Sequence, residues 1–334
     1  MAPKYRQANS SSEKRPKNKT WGKRAKTKID GNGDRVEESS SSQSDTGADF
    51  FTLPEACIVD ILAMTSPADV CRMRAVAKWL QPTVDSDDLW VGFIPDDYKQ
   101  ILHRSAESPS WNDSSSKKEL FFRLCDSPLL IDEGKKMFWL EKRSGKKCFM
   151  LAAREVVLIN REANLSWCFV RKSTQHLVPK SGFSQYAYLH GVVSLRIEGV
   201  INACMLSPRT NYAAYLVFNL KQNYASGLED VVVKSSIKIG DKTTTRWSYL
   251  KRRMTKQMVW YCPQDPTVRK DGWLEIELGG IFRKGGEDIK MKIEQLDCIW
   301  KCGLMVEGIE IRPRDMNFPF IFSKHMVASS FTFI

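Results

Sequence analysis

No stretch of the 334 residues strings together the roughly 18 apolar positions that a membrane-crossing helix needs, so no span is expected. Nor does an apolar core follow the first basic residues, which leaves no secretory signal to expect. Histidine is scarce, with four residues at positions 103, 176, 190 and 325. Cysteine occurs nine times (57, 71, 125, 148, 168, 204, 262, 298 and 302), an odd number without a CxxC pair. Together they show no zinc-ligand spacing, and the cysteines read as reduced core residues of a cytosolic or nuclear protein. Absent too are a GxSxG elbow, a Walker A loop and an HExxH helix; Ser181-Gly182-Phe183-Ser184 does not make an elbow. Carboxylate pairs such as Asp87/Asp88 and Glu275/Glu277 are explained by helix capping and by the solvent face of a strand. The chain is therefore expected to be non-catalytic, with no metal and no cofactor.

What is present begins with charge. The net charge is +12, yet residues 1–28 hold ten Lys/Arg against Glu13, a local +9 that leaves the remaining 306 residues at only +3. Residues 1–48 are polar, with Trp21 almost the sole large apolar side chain, and cannot bury enough surface to order themselves. Lys14-Arg15, then Lys23-Arg24 with Lys26 and Lys28, have the layout of a two-part nuclear import signal. They equally suit a solvated basic tail that binds any polyanion weakly and salt-sensitively. Specific nucleic-acid binding is not expected from a folded part so close to neutral. The expected locations are nucleus and cytoplasm.

Residues 51–98 carry the densest local signals. Pro54 suits the first position of a helix, and Ile58, Ile61 and Leu62 fall on one face of it. Ser66-Pro67 with Asp69 opens a second helix, whose stripe is Val70, Met73, Ala77 and Leu80 and which Pro82 is expected to stop. Asp85-Ser86-Asp87 caps a third segment carrying Leu89, Trp90 and Phe93. Helices this short must pack on one another or on a partner, because an isolated helix needs about 12–15 residues even to be marginal.

A connector follows over residues 99–134, with an amphipathic helical stretch at 117–124 that Ser127-Pro128 breaks. From Lys135 the texture becomes short β-type runs, at 137–140, 148–152, 155–159, 187–197, 213–220, 231–237, 273–278, 289–293 and 304–311. Turn residues between them favour an antiparallel sandwich. In the last run apolar residues at 304, 306, 309 and 311 alternate with a one-residue slip at Gly308, the signature of a bulge.

Two resemblances cover the chain from residue 49 to 314. Leu53-Pro54-Glu55, Ser66-Pro67-Ala68-Asp69, Cys71-Arg72, Asp85-Ser86-Asp87, Leu89-Trp90 and Phe93-Ile94-Pro95-Asp96-Asp97-Tyr98 resemble the F-box of plant F-box proteins (residues 49–98). Ala77-Lys78-Trp79 departs from it, a serine pair and a phenylalanine being more usual there. The resemblance implies a three-helix module that docks on a Skp-type adaptor and, through it, on a cullin and a ubiquitin ligase. Its expected docking residues are Leu53, Pro54, Ile58, Ile61, Leu62, Pro67 and Val70, some of which must instead face the module's own core.

Asp132-Glu133-Gly134-Lys135-Lys136, Gly145-Lys146-Lys147-Cys148-Phe149-Met150-Leu151-Ala152-Ala153-Arg154-Glu155, Tyr215-Leu216-Val217-Phe218, Asp271-Gly272-Trp273-Leu274-Glu275-Ile276-Glu277-Leu278 and Lys301-Cys302-Gly303-Leu304-Met305-Val306-Glu307-Gly308-Ile309-Glu310-Ile311-Arg312-Pro313 resemble the phloem protein 2 domain. That domain is similar to the Nictaba lectin, which implies an α+β chain of two modules, the F-box followed by an antiparallel, jelly-roll-like β-sandwich over 135–314. Residues 315–334 form an extension beyond the resemblance. The implied function is a substrate receptor of a Skp–cullin–F-box ligase, reading a protein or glycoprotein. The alternative is a lectin with little or no ligase role, binding N-acetylglucosamine-containing or related glycans. Lectin-like members carry two sugar-stacking tryptophans seven residues apart; the second falls on Trp167, the first on Asn160, and a further tryptophan usual in the central strand is Ser194. Trp167 also reads as an ordinary strand residue buried with Leu165 and Phe169.

Overall fold

Local capping starts the fold in the computed structural model, which describes residues 53–105, 116–157, 166–172, 182–252, 263–282, 285–295, 297 and 299–314. Helix α1 spans Glu55–Ala63, with Pro54 just before its first turn rather than inside it. Helix α2 spans Pro67–Val76, and the Ser66 hydroxyl accepts the Asp69 N–H at 3.2 Å, the expected cap. It ends at Val76 because Ala77 is extended, well before Pro82. Proline costs nothing in a first helical turn, where its missing N–H would be unpaired. Pro82 accordingly sits near the start of α3 (Gln81–Asp85), which extended Ser86 separates from α4 (Asp87–Val91). The three helices expected of residues 49–98 are thus at least four.

Helices α5 (Tyr98–His103) and α6 (Lys117–Asp126) complete the helical part, and Ser116 caps α6 by accepting the Glu119 N–H at 3.2 Å. Trp90 organises this region. Its ring is fully buried, with centroids 5.7, 5.2 and 5.3 Å from Phe93, Phe121 and Phe122, and its indole N–H donates to the Val84 carbonyl at 2.6 Å.

Antiparallel strands make up the rest: β1 (Leu129–Ile131), β2 (Lys136–Leu140), β3 (Lys147–Ala152), β4 (Trp167–Arg171), β5 (Gln185–Leu189), β6 (Leu195–Asn202), β7 (Asn211–Leu220), β8 (Val232–Ile239), β9 (Lys242–Tyr249), β10 (Thr267–Val268), β11 (Leu274–Phe282), β12 (Asp288–Gln295) and β13 (Leu304–Pro313). The larger sheet runs β1-β2-β3-β13-β7-β11-β10, with β5 also on β13 and β4 on β5. The smaller runs β6-β12-β8-β9. The two sheets meet through buried side chains such as Ile237, Ile293, Ile309 and Leu151, and the Ser235 hydroxyl of β8 donates to the Leu278 carbonyl of β11. The architecture is a helical module followed by an antiparallel β-sandwich.

Two of the expected runs are corrected. The run at 155–159 is not a strand in its described part: the chain leaves β3 directly into helix α7 (Ala153–Val157), which buries Ala153 and Val156. The run at 187–197 divides into β5 and β6 around an irregular stretch. The bulge is where the pattern put it, with the β13 register slipping between Val306 and Gly308. Gly308 has φ +158°, and a Cβ there would lie 1.9 Å from the Leu151 carbonyl oxygen, so only glycine fits.

All described residues fall in one compact unit, and the helices are fastened to the large sheet at several points. The Lys147 ammonium, almost wholly buried, donates to Asp97 at 2.9 Å. The Ala68 N–H donates to the Arg143 carbonyl, Arg104 forms a fork with Asp132 at 2.8 Å, and Ser105 bridges Ile131. Gly145, at φ +70°, brings the β2–β3 turn against Pro67, the Phe93 carbonyl and the Phe121 ring. Helical module and sandwich are packed together.

Candidate functional site

Helix α1 is apolar on two sides, and only one is covered. Ile58 and Leu62 point inward and are buried, while Pro54, Cys57, Ile61 and Met64, spaced 3, 4 and 3 residues apart, form an exposed stripe on the other side. Met64 is 86% exposed and Ile61 41%. The stripe is joined in exposure by Met73 and Val76 near the end of α2 and by Trp79 beyond it, Val76 being 86% exposed. Clustered exposed apolar side chains of this kind mark a surface suited to a partner. Ion pairs hold α2 and its surroundings: Arg74 forks onto Asp85, which Lys118 of α6 also engages, and these two hydrogen bonds hold the Asp85 carboxyl below its ordinary range.

The expected docking residues are sorted by this geometry. Pro54 and Ile61 lie on the exposed stripe and Leu53 is half-buried. Ile58, Leu62, Pro67 and Val70 are interior, where the packing of α1 and α2 on their own module consumes them. Cys57, Met64, Met73, Val76 and Trp79 were not anticipated. A stripe of 3, 4 and 3 spacing was present in the sequence at 54, 57, 61 and 64, but it competed with an equally good one at 58 and 62.

On the sandwich, the outer face of the large sheet offers a second site. One cross-strand row runs Met137, Met150, Glu310, Tyr215 and Glu277 on β2, β3, β13, β7 and β11. Around it lies a cleft of about 330 Å³ lined by Trp139, Met137, Met150, Trp273, Arg269, Asp271, Glu307 and Glu310 among others. Arg269 donates to Glu275 and Glu310 at 2.9 and 2.7 Å, and Arg312 donates to the same two carboxylates at 2.7 Å while stacking 3.7 Å over the Tyr215 ring. Burial opposes the charge of Arg312, but the hydrogen bonds and charges of Glu275 and Glu310 outweigh it and raise its pKa. Burial likewise works against ionised Glu275, and Arg312 and Arg269 more than offset it, so its carboxyl lies below the usual range. Lys172 reaches fully buried Glu307 at 2.7 Å, and burial, only partly countered by that glutamate, lowers the lysine's pKa. The result is a fixed array of alternating charges beside an apolar floor, with the half-buried Trp139 ring at its margin. This suits a small polar ligand with one apolar face.

Trp167 is not part of that cleft. It pairs with Leu189 across β4 and β5, is only 8% exposed, and points to the side of the sheet opposite its neighbour Cys168. Its ring is thus engaged in packing. Asn160 and the basic residues Lys14, Arg15, Lys23, Arg24, Lys26 and Lys28 lie outside the described residues, and Ser194 is exposed beside β6. Among the described residues no cluster of three His, Cys, Asp or Glu could hold a metal, and no helix is long and apolar enough to cross a membrane.

The described residues thus form a helical module with an uncovered apolar face, packed on an antiparallel β-sandwich. A model of the phloem protein 2 family matches residues 146–313. The Arabidopsis thaliana protein PP2-B12 is 38% identical over 269 residues, covering 80% of this chain and 99% of that protein. F-box protein PP2-B10 of the same plant is 37% identical over 273 residues, 79% of this chain and 94% of that protein. The chain belongs to the plant phloem protein 2 family, among its F-box (PP2-B) members.

Proposed function

We propose that this chain is the substrate-recognition subunit of a Skp–cullin–F-box ubiquitin ligase. The stripe of Pro54, Cys57, Ile61 and Met64, with Met73, Val76 and Trp79, docks on the Skp-type adaptor, and the sandwich holds the target. The observation that carries this reading is the half-covered α1, whose exposed side carries the apolar stripe of Pro54, Cys57, Ile61 and Met64 between the acids Glu55 and Asp60. Burying such side chains is worth about 1.5–3 kcal/mol each, and a few anchors of that size account for a typical interface. The chain itself supplies proximity, the transfer chemistry belonging to other subunits. The tight fastening of the module to the sandwich supports a geometric role, because a captured target is then held at a set distance from the adaptor. We place its work in the nucleus and cytoplasm on the basic clusters of residues 14–28.

For the target, the outer-face cleft favours a glycan or a glycoprotein. Trp139 supplies an aromatic edge, and Asp271, Glu310 and Arg269 supply fixed partners for hydroxyls. This moves the expected sugar contact away from Trp167. Glycan-array binding that is lost in Trp139→Ala and kept in Trp167→Phe supports the cleft; the reverse pattern restores Trp167. For the ligase reading the test is a pull-down with a plant Skp-type adaptor, wild type beside a Leu53→Ala/Pro54→Ala variant and an Ile61→Asp variant. Glycan binding by a chain that fails to retain the adaptor would favour the lectin without a ligase role.

A further inference from the structure

Seven free cysteines lie among the described residues, and their surroundings differ sharply. Cys148 is buried and Cys125 largely so; burial pushes the Cys125 thiol up to about 12 and Cys148 well above its ordinary value, which makes both inert. Cys302 donates to the Tyr224 carbonyl at 3.4 Å, a bond that needs the protonated thiol. Cys57, Cys71 and Cys204 are exposed, and the guanidinium of Arg74, which interacts with Cys71, is committed to Asp85. Cys168 is different. Its sulfur lies 3.1 Å from Nε2 of His190, whose ring is exposed, and the thiol is half-exposed.

The geometry points to Cys168–His190 as a reactive thiol pair, a site of covalent modification by hydroperoxides or soft electrophiles. The imidazole takes the thiol proton, giving a thiolate beside an imidazolium, and the thiolate is the nucleophile. With a hydroperoxide the sulfur attacks one peroxide oxygen: the S–O bond forms, the O–O bond breaks, and the departing oxygen takes the proton from His190. Cys168 becomes a sulfenic acid, oxidised by two electrons, and the peroxide is reduced to water or an alcohol. The groups packed around the pair are Tyr186 and Tyr188 on β5, with Cys302, Tyr224 and Lys221 beyond them. The cation among them, Lys221, sits over the rings of Tyr188 and Tyr224. Tyr188 packs edge-on against His190 at 5.1 Å and holds the ring toward the sulfur.

The position gives the modification a consequence. Cys168 pairs with Tyr188, which pairs with Met305 and then Asn219, a cross-strand row on the same outer face as the cleft. Tyr188 packs against the cluster of Met305 and Trp273 that floors it. A group added to Cys168 alters the surface beside that floor, whatever ligand the cleft takes.

The test uses the full chain and site-resolved peptide mass spectrometry, with Cys57, Cys71 and Cys204 as internal references. At pH 6.5 iodoacetamide is expected to label Cys168 about tenfold faster than those three. His190→Gln is expected to bring Cys168 down to the reference rate while the references hold steady and buried Cys148 stays unlabelled, the latter reporting an intact fold. Limiting hydrogen peroxide with a sulfenic-acid trap is expected to mark Cys168 first and to mark nothing at that site in Cys168→Ser. Labelling of Cys168 no faster than the references, or an unchanged ratio in His190→Gln, overturns the assignment.

Discussion

Two substitutions on the uncovered side of α1 and α2 separate docking from folding. Met64 and Val76 are each 86% exposed, so Met64→Ser/Val76→Ser removes almost nothing from the folded chain and is expected to change its stability by less than about 0.5 kcal/mol per site. Nearly all the transfer energy of both side chains remains available to a partner. At about 1.5 kcal/mol each, their loss weakens adaptor binding by about 3 kcal/mol, on the order of 150-fold in Kd. Leu62, one residue from Ile61 but fully buried, behaves in the opposite way: Leu62→Ala costs about 2–5 kcal/mol of stability through the cavity it leaves. The assay is isothermal titration of each variant against a recombinant plant Skp-type adaptor, with urea unfolding alongside. A double variant that unfolds like wild type and binds within twofold of it would refute the placement of the interface.

Other consequences of the structure are open to similar checks. Trp90→Ala removes the ring shared by α4 and α6 and is expected to destabilise the chain by about 3–5 kcal/mol, seen as an early helical transition in circular dichroism. Gly145→Ala forces a Cβ to φ +70° and to 3.3 Å from the Phe93 carbonyl oxygen; a loss of about 1–2 kcal/mol is expected by urea unfolding. The Arg104 fork, with help from Lys136, holds the Asp132 carboxyl down to about 2. Because the folded value lies below the unfolded one, the stabilisation is complete above about pH 4 and disappears as pH falls through about 2. Screening limits it to about 1 kcal/mol, so the difference in urea midpoint between wild type and Arg104→Gln should be small at pH 6 and vanish near pH 2.

Much of this was legible in the chain because the signals are local. Ser66-Pro67-Asp69 caps α2 as its chemistry dictates, and the slip at Gly308 is a bulge because alternation along one strand records which face each residue takes. What was lost depends on neighbours. The run at 155–159 has β-branched side chains that suit a strand, but in its described part, 155–157, the chain is in α7. Strand β9, with Lys242, three threonines and Arg246, lies at the edge of the smaller sheet, where the polar face hides the usual alternation. Ser86 was read as a cap, yet its hydroxyl donates back to the Thr83 carbonyl, while Asp87 accepts the Lys117 N–H from a helix thirty residues on. The exposed apolar face was only half legible, since a helix apolar on two sides does not declare which one its own core will take. The cleft was invisible, because Trp139, Arg269 and Glu310 come together only through the strand order.

The central claim is that the helical module is a docking surface for a Skp-type adaptor. It is tested most directly by titrating the purified wild-type chain into a plant Skp-type adaptor in a calorimeter at several temperatures. A one-to-one complex with a negative heat-capacity change, the mark of apolar burial, is the expected result. A folded chain that gives no heat and no co-elution with the adaptor would contradict the account.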